Sequence, residues 1–454
     1  MHGLNKNLKL HFIGVGGIGM SGIAEVLLNL GYKVSGSDLN KSSVIENLIK
    51  KGLEFHQGHR AENLKNVNIM IYSSAIKSEN PEFQEAERLN IPIIKRAEML
   101  AELMRLKFGI AIAGSHGKTT TTSMLATILS GLKLSPTFIV GGVVKNLGSN
   151  AGLGEGDILV AEADESDGSF HFLNPIVTVL TNIDNDHIDY YGSEEKLTES
   201  FVSFVNKVPF YGEIILNFDD AKIREQSDKF NRKHTTFGFD NNSYDYNITN
   251  YKSENGKAYF SLKKKEESYD FEIQMSGKHN VSNCVGAIIV AHKLKHSFES
   301  IQKALNCFEG VGRRLEKLYE SENLLIIDDY AHHPTELEKT INSVINTYKD
   351  YKINFVFEPH RYSRTKNFWN DFVSVLTTQI NTYILPIYPA GEDLIPYIDS
   401  ELLVKQLVKS ETPAKFINSI NDLKIEKNSS EKTLFVFMGA GPISKNIREY
   451  IREL

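Results

Sequence analysis

Cysteine is nearly absent: the 454 residues include only Cys284 and Cys307. Two isolated thiols supply neither a disulfide framework nor a cysteine-based metal site, and they suit a reducing compartment. Blocks of positive charge are also missing. With a net charge of −6 and no basic run, nothing points to nucleic acid as a partner. The opening segment MHGLNKNLKL lacks the apolar core of a signal peptide, so export is not expected and a cytoplasmic location is. No uninterrupted apolar run is long enough for a membrane span. The nearest, Phe12–Leu30, is broken by Ser21, Glu25, Asn29 and several glycines. With export not expected, the sequon Asn247-Ile248-Thr249 is expected to be a chance match. Short-period repeats and low-complexity tracts are lacking too.

What is present is ordinary globular material, 41% hydrophobic and 24% charged, in a chain too long for one core. Three α/β blocks are expected, with boundaries at 1–107, 108–310 and 311–454. The first alternates strand-like Leu8–Gly14, Tyr32–Gly36 and Asn68–Ser73 with helical patterns, one from about Ser21 and another over Arg96–Met104. This is the pattern of a doubly wound, Rossmann-like domain. The second opens on the strand Phe108–Ala113 and continues through Asp157–Ala161, Ile176–Leu180 and Glu213–Asn217. It then shows β alternation over Tyr244–Met275, with Asn255-Gly256 as a hairpin signal and Lys263–Glu267 as a solvated charged turn, before a helix over Val281–Lys295. That reads as a P-loop sheet with an antiparallel excursion. The third restarts with Leu324–Ile327, Ile353–Phe357, Thr382–Leu385 and Leu434–Met438, again a Rossmann-like alternation.

The strongest motif is Phe108 to Leu125: a buried strand, then Gly114-Ser115-His116-Gly117-Lys118-Thr119-Thr120, then helical apolar spacing at Met124, Leu125, Ile128 and Leu129. The glycines let successive N–H groups turn toward one anion. Lys118 adds a point charge, Thr119 offers a hydroxyl to a phosphate-bound Mg²⁺, and the helix dipole favours phosphate. Ile112 stands where the longer P-loop pattern has a further glycine, so the loop is a shortened form. A nucleoside triphosphate is the expected ligand.

Gly14-Val15-Gly16-Gly17-Ile18-Gly19 also follows a strand and opens a helix, with Asp38 about where a dinucleotide site places its ribose-binding acid. The pattern suits NAD(P), and equally any other diphosphate, a UDP-sugar among them. Ser73 and Ser74 end another strand of the same block and offer hydroxyl donors. In the second block Glu162, Asp164, Glu165 and Asp167 gather at a strand end, as a hard cation requires. His187, past the next strand, is a candidate for a second Mg²⁺. Gly277 to Asn283 reads as a polar turn entering a helix. Asn280 there suits either an adenine edge or an N-cap. Arg313 and Arg314 sit on a glycine-flexible junction able to bring a guanidinium to a γ-phosphate. Asp328-Asp329-Tyr330-Ala331-His332-His333-Pro334 lies at a helix start, and Arg361 and Arg364 at a strand end suit a carboxylate. Gly439-Ala440-Gly441-Pro442 is a further tight turn.

Together these segments resemble the Mur ligase family of peptidoglycan synthesis. GVGGIGMSG, SSAI, AGSHGKTTTT, EADESDGSF, TNIDNDHIDYYG, GKHNVSN, GRR, DDYAHHPTE, EPHRYSRT and MGAGPI stand in the family's order across nearly the whole chain. The resemblance implies three domains: a UDP-substrate domain, a central ATPase domain and an amino-acid-binding domain that closes over them. It implies ATP-dependent joining of the UDP-N-acetylmuramate carboxylate to the amine of L-alanine through an acyl phosphate. A related ligase that attaches a preformed peptide is the alternative, and an NAD(P)-dependent oxidoreductase a remoter one.

By motif, the resemblance implies that Gly114 to Thr120 bind ATP and that Lys118 contacts its phosphates. Thr119 and Glu162 would hold one Mg²⁺ and His187 a second. His279, Asn280 and Asn283 would surround the adenine, with Arg314 and Asp329 closing on the nucleotide. Gly16, Gly17, Gly19, Ser73 and Ser74 would take the UDP-substrate, and Arg361 and Arg364 the amino-acid carboxylate. The amine must lose a proton, with His332, His333 and His360 as candidate acceptors. Neither Lys196 nor Lys207 lies in a motif, so no carbamylated lysine is expected, and the chain is expected to be a monomer or weak homodimer.

Overall fold

A computed structural model describes residues 6–73, 75–254, 256–426 and 431–454, with Ile188 and Asp189 described by backbone alone. Ser74 and Asn255 therefore lie outside the described residues. Three sheets carry the chain. The first uses β1 (Lys9–Ile13), β2 (Lys33–Asp38), β3 (Glu54–Gln57), β4 (Ile69–Tyr72) and β5 (Ile93–Lys95), in the order β3-β2-β1-β4-β5. All its pairings are parallel, so each strand returns through a helical or looped crossover, as the doubly wound expectation requires.

The second sheet has ten strands: β6 (Phe108–Ala113), β7 (Thr137–Val144), β8 (Ser149–Gly152), β9 (Ile158–Glu162), β10 (Val177–Leu180), β11 (Glu213–Asn217), β12 (His234–Phe239), β13 (Tyr246–Glu254), β14 (Lys257–Lys264) and β15 (Glu267–Ile273). Their order is β15-β14-β13-β12-β11-β10-β6-β9-β7-β8. β6 is central, flanked by β9 and β10 in parallel, and β14/β15 form the expected antiparallel excursion. The β7/β8 hairpin is an element that periodicity does not reveal, because TFIVGGVV and SNAG carry little side-chain alternation. Asn247 of the sequon is buried on β13 and donates from Nδ2 to Asn242, so it is unavailable for glycosylation.

The third sheet holds β16 (Glu316–Glu320), β17 (Leu324–Asp329), β18 (Lys352–Phe357), β19 (Asn381–Ile384), β20 (Ala414–Phe416) and β21 (Thr433–Met438), in the order β16-β17-β21-β18-β19-β20. Only β16 runs antiparallel to its neighbour. Two apolar clusters, one around Phe355 and Leu337 and one around Phe437 and Ile447, include residues from alternating positions of its central strands.

The chain forms two compact units. One comprises residues up to 252 together with 258–274 and 278–309; the other comprises 253–257, 275–277 and 310–454. The first unit thus contains the first sheet and most of the second, and one continuous apolar cluster runs from Leu10 on β1 to Phe230. No helix among the described residues is long and apolar enough to cross a membrane.

The helix Lys118–Gly131 begins with four consecutive threonines, Thr119 to Thr122, which β-branching makes indifferent helix formers. Burial decides the matter. Thr120 to Leu129 are all buried, Thr122 Oγ1 donates to Lys118 O (2.8 Å) and Ser123 Oγ donates to Thr119 O (2.7 Å). The helix expected over Val281–Lys295 runs instead over Lys278–Lys293, so His279, Asn280 and Asn283 stand in its first turns rather than in a preceding loop. The polar residues of that first turn conceal it from an apolar pattern.

Candidate active site

Register lines up the loops. In the second sheet Ala113 pairs with Leu180 and Ile112 with Glu162, so the segments after β6, β9 and β10 leave adjacent strand ends. These are the glycine loop, the acidic run and the Thr181–His187 segment. In the third sheet Met438 is the partner of both Asp329 and Phe357, which brings the ends of β17, β18 and β21 side by side. In the first, Ile13 pairs with Ser37 and Phe12 with Ile71. Carboxyl edges of parallel strands are where α/β folds place ligands.

Gly114 and Gly117 take φ of +130° and +83°. A Cβ at Gly117 would lie 2.4 Å from Asn283 Oδ1, so this position requires both the left-handed backbone and the missing side chain. The neighbouring strand end holds the loop open. Thr181 Oγ1 donates to His116 O (2.7 Å), His116 N–H donates to Asn182 Oδ1 (2.9 Å), and Asn182 Nδ2 donates to His116 O (2.9 Å). His116 Nε2 lies 2.8 Å from Asp184 Oδ2, and Asp184 N–H donates to Ser115 Oγ (2.9 Å). Thr181, Asn182 and Asp184 are thus loop-holding residues that motif reading passed over.

Lys118 Nζ donates to Gly114 O (2.6 Å), Ser115 O (3.1 Å) and both oxygens of Glu165 (2.8 and 2.7 Å). Burial disfavours its charge, yet Glu165, Asp164 and Glu162 outweigh that and raise its pKa, so the ammonium persists. Burial pushes the Glu165 carboxyl up to about 7 against the opposing pull of Lys118. Among the acids of EADESD the sequence does not say which reaches the lysine. Glu165 does, while Glu162 turns to Thr119, whose Oγ1 donates to Glu162 Oε2 (3.2 Å). Gly141 N–H donates to Glu162 Oε1 (2.5 Å), and a Cβ there would stand 3.0 Å from Glu162 Oε2 and 3.3 Å from Thr119 Oγ1. Glycine leaves that space open beside a carboxylate and a hydroxyl, a donor set suited to a hard divalent cation. His187 takes a left-handed φ of 60°, its N–H donates to Asp186 Oδ1 (2.9 Å), and its Nε2 stands 3.5 Å from Asp186 Oδ2. Asn280 and Asn283 are buried and His279 is half-buried.

In the first glycine loop Asp38 is turned inward: its Oδ2 accepts the Gly16 N–H (2.9 Å). A carboxylate already bonded to the loop is poorly placed to serve a dinucleotide ribose. Gly17 caps the helix Ile18–Asn29, and Arg96 lies against Gly19 while its NH2 pairs with Asp164 Oδ2 at 3.2 Å. Ser73 follows directly on β4 and is half-buried, its carbonyl accepting from Ile76 N–H.

In the second unit Asp328 and Asp329 belong to β17 itself, not to the loop after it. Asp329 Oδ2 accepts from Leu315 N–H (2.7 Å), and its Oδ1 accepts from Ala331 N–H (3.0 Å) and Thr340 Oγ1 (3.1 Å). Arg314 stands over the Tyr330 ring (5.2 Å) with NH1 3.7 Å from Glu336. His332 Nδ1 approaches Tyr330 O (3.0 Å) and Glu336 Oε2 (3.1 Å), and its ring lies 5.8 Å from that of His360. Burial, then His332, Arg364 and Arg361, drive the His360 pKa down to about 3, so it is neutral and weakly basic. Arg361 caps the short helix Tyr362–Asn367 with a φ of 71°, which places Arg364 inside that helix.

Residues 9–108 match the family model described as Mur ligase family, catalytic domain; 112–291 match Mur ligase middle domain; and 313–441 match Mur ligase, glutamate ligase domain. The UDP-N-acetylmuramate–L-alanine ligase of Aquifex aeolicus is 44% identical over 449 residues, 98% of each chain. Among solved structures, the UDP-N-acetylmuramate-alanine ligase of Thermotoga maritima superposes with a TM-score of 0.83 at 27% identity, covering 98% of this chain and 99% of that one. A murein peptide ligase from Psychrobacter arcticus shares the fold, with a TM-score of 0.74 at 22% identity over 98% of both chains. With its loops, sheets and all three family matches in agreement, this chain belongs to the Mur ligase family.

Proposed function

We propose that this chain is an ATP-dependent ligase that joins the carboxylate of UDP-N-acetylmuramate to the amine of L-alanine in peptidoglycan precursor synthesis. The observation that carries the reading is the Lys118 ammonium held in the glycine loop beside Glu162 and Thr119, in a chain 44% identical to a ligase named for that reaction. Three domains divide the work. Residues 1–107 take the UDP-substrate through Gly16, Gly17, Gly19, Ser73 and Ser74; 108–310 take ATP; 311–454 take the amino acid.

A carboxylate is a poor electrophile, so it first attacks the γ-phosphate of ATP, giving an acyl phosphate and ADP. The alanine amine then adds to the acyl carbon, and phosphate leaves from the tetrahedral intermediate. Lys118 faces the phosphates and offsets the negative charge assembled there. Thr119 and Glu162 suit Mg²⁺, with His187 proposed for a second ion. Mg²⁺ bound there would neutralise phosphate charge. His279, Asn280 and Asn283 serve the adenine. Arg314 serves the nucleotide as well, and Asp329, whose oxygens are bonded to Leu315 and Ala331, serves it by fixing the loop that carries Arg314.

Arg361 and Arg364 bind the alanine carboxylate. Of the candidate proton acceptors His332 is preferred: Tyr330 O and Glu336 engage its Nδ1, which directs Nε2 to the amine, whereas His360 is too weakly basic. ADP release by the purified chain with UDP-N-acetylmuramate and Mg-ATP tests the reading. L-alanine is expected to support turnover; turnover with L-Ala-γ-D-Glu-meso-diaminopimelate and none with L-alanine overturns it.

A further inference from the structure

The turn that carries Arg361 and Arg364 is held in a costly shape. Arg361 takes a φ of 71°, a left-handed backbone that a residue with a Cβ disfavours, so its surroundings must impose it. On one side Arg361 N–H donates to Tyr388 O (2.8 Å), Tyr388 N–H donates to Pro359 O (2.8 Å), and His360 and Tyr388 form a parallel bridge. On the other, Thr365 donates to Arg361 O from both its N–H (3.2 Å) and its Oγ1 (2.8 Å).

The remaining grip comes from Glu392, a residue that no motif singles out and that the reaction just described does not use. Pro389 to Glu392 is a tight turn. Ala390 and Gly391 are both left-handed, with φ of 49° and 86°, and Glu392 N–H donates back to Pro389 O (3.0 Å). That reversal carries the Glu392 carboxylate to Ser363: Oε2 accepts the Ser363 N–H (3.0 Å) and Oε1 accepts the Ser363 hydroxyl (2.5 Å). Burial opposes its ionisation, yet the two Ser363 donors and Arg361 hold its pKa below the usual carboxylate range, so it stays a charged acceptor. Ser363 lies two residues after Arg361 and one before Arg364, so the carboxylate grips the backbone between the two guanidinium-bearing positions. Both of its oxygens face Ser363 while Arg361 remains exposed, so it orders the turn without occupying that guanidinium.

Resting on the assignment of Arg361 and Arg364 to the alanine carboxylate, we propose that Glu392 is a positioning residue for the amino-acid substrate. Through Ser363 it presets the spacing and direction of both arginines before L-alanine arrives. A guanidinium pairs well with a carboxylate only in a narrow, planar geometry, and a turn free to relax would have to be reordered at each binding event. A loop staple with no such role would not need to bind between the two arginines, beside a left-handed Arg361.

Steady-state ADP release by the purified chain, with KM measured separately for L-alanine, ATP and UDP-N-acetylmuramate, tests the proposal. Carboxylate binding is the same in ground and transition states, so Glu392→Ala is expected to raise KM for L-alanine about tenfold, with kcat and the other two KM values within about twofold of the parent. Glu392→Gln is expected to restore most of that loss, since its amide oxygen accepts the Ser363 N–H and its amide nitrogen donates to the Ser363 hydroxyl. Ser363→Ala, which removes only the hydroxyl link, is expected to raise the same KM by a smaller factor. An L-alanine KM that does not move in Glu392→Ala, or an equal rise in all three KM values, overturns the proposal. So does a Glu392→Gln protein as impaired as Glu392→Ala, because charge and not hydrogen bonding would then be at work. A parent chain that turns over no L-alanine overturns the underlying reading, and this proposal with it.

Discussion

Glu82 has no exposure, yet its carboxyl is held below the ordinary range. Burial opposes its ionisation, but His11 Nε2 at 3.6 Å, Ser37 Oγ donating at 2.6 Å and Asn63 Nδ2 donating at 2.5 Å outweigh it, with His59 Nδ1 3.2 Å away. Glu82→Ala strands those donors inside the first sheet's flank and is expected to cost about 3–5 kcal/mol in denaturant unfolding. Glu358 is the opposite case. Burial pushes its carboxyl up to about 7 although Ile443 N–H donates to it at 3.3 Å. An acid whose folded pKa is raised stabilises the fold below its unfolded value and loses that advantage as pH rises toward 7. Glu358→Gln, which keeps the acceptor, is therefore expected to gain up to roughly 3 kcal/mol over the parent between pH 5 and pH 8, read by calorimetric unfolding across that range. Lys118→Ala is expected to fold normally and lower kcat by about a thousandfold in the ADP-release assay, since it removes a fixed charge from the phosphates. The lysine was legible as a residue. Its partner Glu165 was not, because four acids of one strand-end run look alike until a backbone aims them.

Among elements, β6 and the helix after it were readable almost to the residue: Phe108–Ala113 is buried along nearly its whole length, and the turn after it contains the two glycines. Gly117→Ala tests that element. A methyl group 2.4 Å from Asn283 Oδ1, on a backbone at φ +83°, is expected to displace the loop. The thermal stabilisation by Mg-ATP should disappear while the midpoint without nucleotide falls by only a few degrees. The β7/β8 hairpin was not readable, since glycine-rich strands carry no alternation. The apolar pattern over Val281–Lys295 starts three residues after the helix Lys278–Lys293 does, because the first turn is polar and its stability comes from burying later residues against the helix Lys118–Gly131.

At the scale of the molecule, the first glycine loop separates two readings. A UDP-substrate ligase is expected to gain about 3 °C in unfolding midpoint from UDP-N-acetylmuramate at a hundredfold excess over its Kd, and nothing from NAD. A shift with NAD alone would return the loop to a dinucleotide. Asp38 argues the same way, since its carboxylate is bonded to Gly16.

By itself the sequence determined the α/β class, the strand–loop–helix modules and the chemistry-bearing residues, because each depends on contacts within a few positions: period, turn glycines and the residue types at strand ends. Only the tertiary structure decided that Glu165 rather than Glu162 meets Lys118 and that Asp329 fixes a loop. Those outcomes depend on strand order and register, which bring residues far apart in the chain to neighbouring strand ends, and no local pattern encodes that distance.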